Sequence, residues 1–232
     1  MVAEGLAPSR ARAQALIAGG VVKVGGVVTT KPASKAEGQI VVTEDPCPWV
    51  SRAGLKLAHA IDAFGMEPSG IALDLGASTG GFTQVLLARG ARHVHALDVG
   101  HGQLDPRVAA DKRVTVHEGI NARAIPDGLV PPVDWITADL SFISLEKALP
   151  KALTLARLGA HIVALIKPQF EAGREHVGKG GIVSDPAIHQ MVCASVAAFL
   201  GDAGWSDIRR TDSPITGSDG NREFLIGARK QD

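Results

Sequence analysis

Five short apolar runs, residues 71–75, 93–98, 114–117, 135–138 and 162–166, alternate with stretches of helix formers. Near-continuous apolar strands separated by helices bury both faces of a sheet, which predicts a parallel, doubly wound α/β architecture. Helices are expected over 51–64, with Ser51 as N-cap, and over 81–89, 145–157 and 186–203. Two closing runs, 208–211 and 224–228, predict a terminal strand pair whose last member runs antiparallel.

The first 45 residues read differently. Pro8-Ser9 marks a helix start, and 11–18 hold helix formers until Gly19-Gly20 ends the run. Residues 21–24 and 27–30 are rich in β-branched side chains and flank Gly25-Gly26, a hairpin signal, and 39–43 adds a third strand. Glu44-Asp45-Pro46-Cys47-Pro48 then interrupts secondary structure, which predicts domains at 1–45 and 51–232 joined by a 46–50 linker.

Charge narrows the function classes. Lys and Arg number 24, as do Asp and Glu, so no global field directs the chain to nucleic acid or membrane. Residues 1–36 nevertheless carry Arg10, Arg12, Lys23, Lys31 and Lys35 against Glu4 alone. Cations in a helix's first turn oppose its dipole, so phosphate contact explains Arg10 and Arg12 better than local stability does; simple solvation is the alternative. Cys47 and Cys193 stand far apart without ligand spacing, which excludes a disulfide scaffold or cysteine zinc site and fits a reducing compartment. No run approaches the ~18 apolar residues of a membrane span, and no signal-peptide pattern opens the chain. A cytoplasmic protein without membrane contact is expected. His93 and His95 alternate along one strand as an ordinary face, and no metal is expected.

The most informative segment is Leu73-Asp74-Leu75-Gly76-Ala77-Ser78-Thr79-Gly80-Gly81-Phe82-Thr83, which follows the first strand of the second domain and opens a helix. Ligands of open α/β sheets bind at that place. The spacing is G-x-x-x-G-G, unlike a dinucleotide fingerprint, and no P-loop lysine follows. Asp74 in an apolar strand demands a partner, and it would suit a cationic amine. Asp98 ends the next strand, where an acid accepts both hydroxyls of a ribose. Glycine loop, buried acid and ribose acid together describe S-adenosylmethionine; a tight turn and capped helix without a ligand is the plainer reading.

Charged residues gather at the same predicted sheet edge. Asp139 and Lys167 end the strands at 135–138 and 162–166, and Glu223 opens the last strand. Lys56 lies on the helix before the first strand and can pack across that edge. A ribose 2′-hydroxyl needs a base near neutral pH. A lysine serves when burial or a nearby cation favours its neutral form, and Lys56 is a candidate for that cation. Surface ion pairs are the alternative for each charge taken singly.

The chain resembles the TlyA family of ribosomal RNA 2′-O-methyltransferases, historically labelled haemolysin A, which share the FtsJ-like fold. The matching segments are Ser51-Arg52-Ala53-Gly54-Leu55-Lys56-Leu57, 74–83, Asp98-Val99-Gly100, Asp139-Leu140-Ser141-Phe142-Ile143-Ser144, Lys167-Pro168-Gln169-Phe170-Glu171, Val177-Gly178-Lys179-Gly180-Gly181 and 213–224. The resemblance implies a Rossmann-like class I methyltransferase preceded by a small α+β S4-like RNA-binding domain. It implies a Lys56–Asp139–Lys167–Glu223 tetrad with Lys167 as proton acceptor. It also implies cofactor contacts at Gly80, Phe82, Asp98 and Asp139, with Asn121 near the adenine; Asp74, Gly76, Ser78 and Gly81 complete the expected cofactor loop. Arg10, Arg12 and Lys23 become the candidate RNA contacts, and ribosomal RNA or ribosomal subunits the expected partner. The family's S4 helix begins earlier, so either a start upstream of Met1 or a trimmed domain is expected. Two other classes stand beside this reading: an RNA-binding assembly factor with a vestigial cofactor site, and a membrane-lysing protein.

Overall fold

The computed structural model describes residues 1–7, 10–18, 20–31, 38–43 and 47–231. The expected helix start at Pro8-Ser9, the Gly19 stop and the break at Glu44-Asp45-Pro46 lie outside the described residues. The chain divides into two compact units, Met1–Ser51 and Arg52–Asp232.

In the first unit, helix α1 (Arg10–Ala18) precedes strands β1 (Val22–Val24), β2 (Val27–Val28) and β3 (Ile40–Val42). β1 is central and antiparallel to both neighbours. The turn between β1 and β2 works because Gly25 and Gly26 adopt φ of 56° and 85°, conformations that side chains resist. Ala7, Ala13, Leu16 and Val22 form a small core of its own.

The second unit contains α2 (Ala53–Phe64), β4 (Ile71–Leu75), α3 (Gly81–Ala88), β5 (His93–Asp98), α4 (Pro106–Ala109), β6 (Val114–Glu118) and β7 (Val133–Ala138). It continues with α5 (Leu145–Ala148), α6 (Pro150–Leu153), β8 (Ala156–Ile166), α7 (Pro168–Glu171), α8 (Pro186–Asp202), β9 (Trp205–Asp212) and β10 (Phe224–Lys230). The strands form one sheet in the order β6-β5-β4-β7-β8-β10-β9. β4 to β8 are parallel, whereas β10 runs antiparallel between β8 and β9. The order reverses beside β4, so the loops after β4 and β7 diverge to opposite sides and open a crevice at the strands' carboxyl ends. Phe224 pairs with Ile166, which brings the start of β10 to that same edge. The interior is built from the strands' apolar residues, with Trp135, Leu73, Ile136 and Ile162 fully buried.

Two expectations need correction. Ser51 does not cap α2: Arg52 occupies the cap with helical φ and ψ of −59° and −23° and makes no side-chain cap bond. The expected helix over 145–157 is two short helices, because Pro150 has no amide hydrogen and starts a new turn as the first residue of α6. Its final residues belong to β8, where Ala156 pairs with Val133.

Helix α2 and the segment after it press on β10 at Gly227, where a Cβ would stand 2.6 Å from Phe64 Cδ2 and 3.1 Å from Met66 Cε. Gly227→Ala is therefore expected to destabilise the unit by about 1–3 kcal/mol. Urea unfolding checks this as a lower midpoint at unchanged slope.

Candidate active site

The crevice begins with a buried acid. Asp74, inside β4, accepts hydrogen bonds from Thr83 Oγ1 at 2.6 Å and Thr137 Oγ1 at 2.9 Å. Burial pushes its carboxyl up to about 6; the two threonine hydroxyls oppose that rise and the charge of Asp139 adds to it. Both oxygens are thus held from within, and Asp74 lines neither of the two large cavities described below. It ties β4 to α3 and β7 rather than reaching toward a ligand amine.

The loop after β4 is shaped by close backbone approach. Gly76 has φ 78°, and a Cβ there would lie 2.4 Å from the carbonyl oxygen of Asp139. The Asp139 amide in turn donates to Leu75 O at 3.0 Å. Ser78 takes a left-handed φ of 46°, which aims its amide at Asp98 Oδ2, 2.8 Å away. The Gly100 amide donates to Asp98 Oδ1 at 2.7 Å. Two amides therefore orient the Asp98 carboxylate, and each oxygen keeps acceptor capacity for a ligand. Gly80 lies under Leu104 and Val108, with no room for a Cβ, while Gly81 and Phe82 are buried at the start of α3. None of these three lines either large cavity.

The four charges at the edge form two pairs. Lys56 Nζ lies 2.5 Å from Glu223 Oε2, with both side chains buried. Lys167 Nζ stands 2.6 Å from Asp139 Oδ1 and donates to Ser141 Oγ at 3.0 Å. Asp139 Oδ1 is buried yet has no aligned donor, so its contact with Lys167 is a charge contact without hydrogen-bond direction.

Two cavities adjoin these pairs. One of about 1180 Å³ is lined by Gly76, Ser78, Asp98, Asn121 and Asp139 among others. The other, about 420 Å³, is lined by Lys167 and Glu223. Ser141, Phe142, Gln169, Phe170 and Val177 line both. Asp98 as acceptor for a diol and Asp139 as acceptor for an ammonium group, both lining the larger cavity, fit an amino-acid nucleoside there. Lys56 lines neither cavity and touches the site through Glu223.

Elsewhere, Arg10 is exposed at the first position of α1 and Lys23 is half-buried in β1, while the side chain of Arg12 lies outside the described residues. His93 bonds Thr115 Oγ1 at 2.8 Å, and His95 Nδ1 meets His117 Nε2 at 2.9 Å. Burial, then the neighbouring His117 and His93, lowers His95 to about 4, so it is neutral near pH 7. Among the described residues no group of three or more His, Cys, Asp or Glu is arranged for a metal.

Three residues had no role assigned from sequence. Ser141 holds Lys167. Phe142 is 91% exposed in a left-handed backbone with φ 66°, its ring 5.1 Å from Phe170. Glu171 accepts the Leu145 amide at 2.9 Å, and burial raises its carboxyl to about 7, the Leu145 bond opposing and Glu146 adding. Their sequence signal is place: each lies in a family-matching segment, within four residues of a charge that ends a strand.

The FtsJ-like methyltransferase family matches residues 49–230, and the S4 domain family matches residues 1–39. The chain is 44% identical to the 16S/23S rRNA (cytidine-2′-O)-methyltransferase TlyA of Mycobacterium tuberculosis, over 100% of this chain and 88% of that protein. A solved structure from Streptococcus thermophilus, described as a hemolysin, superposes with a TM-score of 0.80 at 38% identity, covering 97% of this chain and 84% of that one. N-methyltransferase NodS of Bradyrhizobium japonicum, solved with S-adenosyl-L-homocysteine, shares the fold at a TM-score of 0.55 and 13% identity, over 81% of this chain and 90% of that one.

Glu171 predicts a pH signature. Its folded-state value, about 7, exceeds the ordinary 4.5, so the protonated form favours folding. That stability is fully present below pH 4.5 and is lost as pH rises through 7. Glu171→Gln keeps an acceptor for Leu145 without ionising. Its stability relative to wild type is expected to improve by on the order of 2–3 kcal/mol between pH 5 and pH 8, measured by urea unfolding at both values. A constant difference would contradict this.

Proposed function

The chain belongs to the FtsJ-like methyltransferase family, within its TlyA members, and on that premise we propose that it methylates a ribose 2′-hydroxyl of ribosomal RNA, on a cytidine, using S-adenosylmethionine. The observation that carries this reading is the pair of adjoining cavities with Asp139 lining one, Lys167 lining the other, and the two charges 2.6 Å apart.

In the larger cavity Asp98 would take the cofactor's ribose hydroxyls, Asp139 its ammonium group, and Asn121 the adenine side. When bound, S-adenosylmethionine supplies a sulfonium methyl group, whose carbon–sulfur bond pair stays on sulfur as the 2′-oxygen takes the carbon. Lys167 takes the proton that leaves that oxygen and returns it to solvent afterwards. Asp139 stabilises the ammonium so formed. Glu223, held by Lys56, lines the smaller cavity and orients the incoming hydroxyl. The remaining acceleration comes from holding nucleophile and methyl carbon in line. A 2′-hydroxyl target also explains selection of RNA over DNA. The S4 match and the exposed Arg10 support RNA capture by the first unit through phosphate contacts. A ribosomal RNA substrate supports a cytoplasmic location.

Labelled methyl transfer onto ribosomal RNA and separated subunits, followed by nucleoside mass spectrometry, tests the proposal. Label is expected in 2′-O-methylcytidine and is expected to fall at least about 100-fold in Lys167→Ala, the lower range for a lost general base. A folded protein that binds the cofactor yet labels none of these substrates would favour an assembly factor instead.

A further inference from the structure

A proton acceptor must aim its lone pair as well as exist. A neutral lysine amine carries two hydrogens and one lone pair on a nitrogen that rotates freely about its last carbon. Asp139 supplies Lys167 with a countercharge at 2.6 Å but no aligned hydrogen bond. Among the described residues, the aligned acceptor for Lys167 Nζ is Ser141 Oγ, at 3.0 Å. Ser141 also lines both cavities.

The serine is held in that place by its own segment. At one end the Asp139 amide donates to Leu75 O at 3.0 Å; at the other the Leu145 amide donates to Glu171 at 2.9 Å. Between them Phe142 occupies a left-handed conformation that a bulky residue adopts only when its surroundings impose it. Its ring stands 5.1 Å from that of Phe170 in α7, the helix that begins directly after Lys167. A flexible surface loop would not pin both ends around one hydroxyl.

We propose that Ser141 is a positioning residue for the proton acceptor: its hydroxyl takes one Lys167 hydrogen while the charge of Asp139 attracts the other, which leaves the nitrogen's lone pair the third position, at the smaller cavity. The role rests on the methyl-transfer reading above. In the step it serves, the 2′-oxygen gains the methyl carbon while its proton moves to Lys167 Nζ, and Ser141 neither gains nor loses a proton.

The test compares wild type, Ser141→Ala and Ser141→Thr in the full-length protein. For Ser141→Ala, kcat is expected to fall about 10- to 100-fold, while the KM for ribosomal RNA and the Kd for S-adenosylmethionine, from calorimetry, stay within about twofold. Ser141→Thr restores the hydroxyl and is expected to recover most of kcat. An unchanged kcat in Ser141→Ala, a change in KM alone, or a threonine variant as slow as alanine would each overturn the assignment. A second readout does not need turnover: in crystal structures of the variants, Lys167 Nζ is expected to keep its place beside the hydroxyl in Ser141→Thr and to be displaced in Ser141→Ala. An Nζ that keeps its place in the alanine variant overturns the role. An inactive wild type with that positional pattern intact would instead overturn the methyl-transfer reading and leave the hydroxyl's hold on Lys167 standing.

Discussion

A carboxylate without access to water anchors the crevice. Asp74 is fully buried, and the hydroxyls of Thr83 and Thr137, with the Thr83 amide, compensate its loss of solvent. Those partners come from α3 and β7, so a single side chain joins the central strand to the next helix and to the neighbouring strand. The loop that presents Gly76 and Ser78 starts two residues after it, and the backbone of Asp139 closes against that loop. Ligand-facing geometry at Asp98 and Asp139 thus depends on a group that does not line the large cavities. The carboxyl's elevation to about 6 is the electrostatic cost of that arrangement.

The second constraint is the direction of β10. Because it runs antiparallel against β8, with Phe224 opposite Ile166, Glu223 arrives beside the end of the strand that carries Lys167. A parallel last strand would send Glu223 to the opposite edge of the sheet. Burying Glu223 requires a counterion, and Lys56 provides it from α2. A buried pair of this kind adds little net stability, since desolvation offsets most of the attraction. Its retention at the edge of a reactive cavity is better understood as orientation than as cohesion.

Strain is concentrated in the same place. Ser78 and Phe142 are two of three non-glycine residues with positive φ among those described, and both line the larger cavity. Ser78 turns an amide onto Asp98, and Phe142 exposes an aromatic face beside the lysine. The rest of the second unit supplies the rigidity: seven strands whose apolar residues are mostly buried leave the strand-end loops little freedom.

Much of this was legible in the chain itself. The apolar runs at 71–75 and 93–98 coincide with β4 and β5, and the glycine pair at 25 and 26 makes the turn between β1 and β2. Such features are local: hydrophobic period, turn chemistry and strand-end charges need no knowledge of distant residues. What local pattern could not decide was contact across the fold. From sequence Asp74 suits a cationic amine, and the threonines that hold its carboxylate are brought to it only by the packing of α3 and β7. The helix expected through 157 fails because β7 offers Ala156 a strand partner once Pro150 has broken the helix. Lys56 and Glu223 stand 167 residues apart in sequence, and their meeting is a matter of sheet register and helix packing. Residue chemistry, readable from sequence, specifies which groups can react, whereas their alignment depends on long-range pairing that exists only in the folded chain.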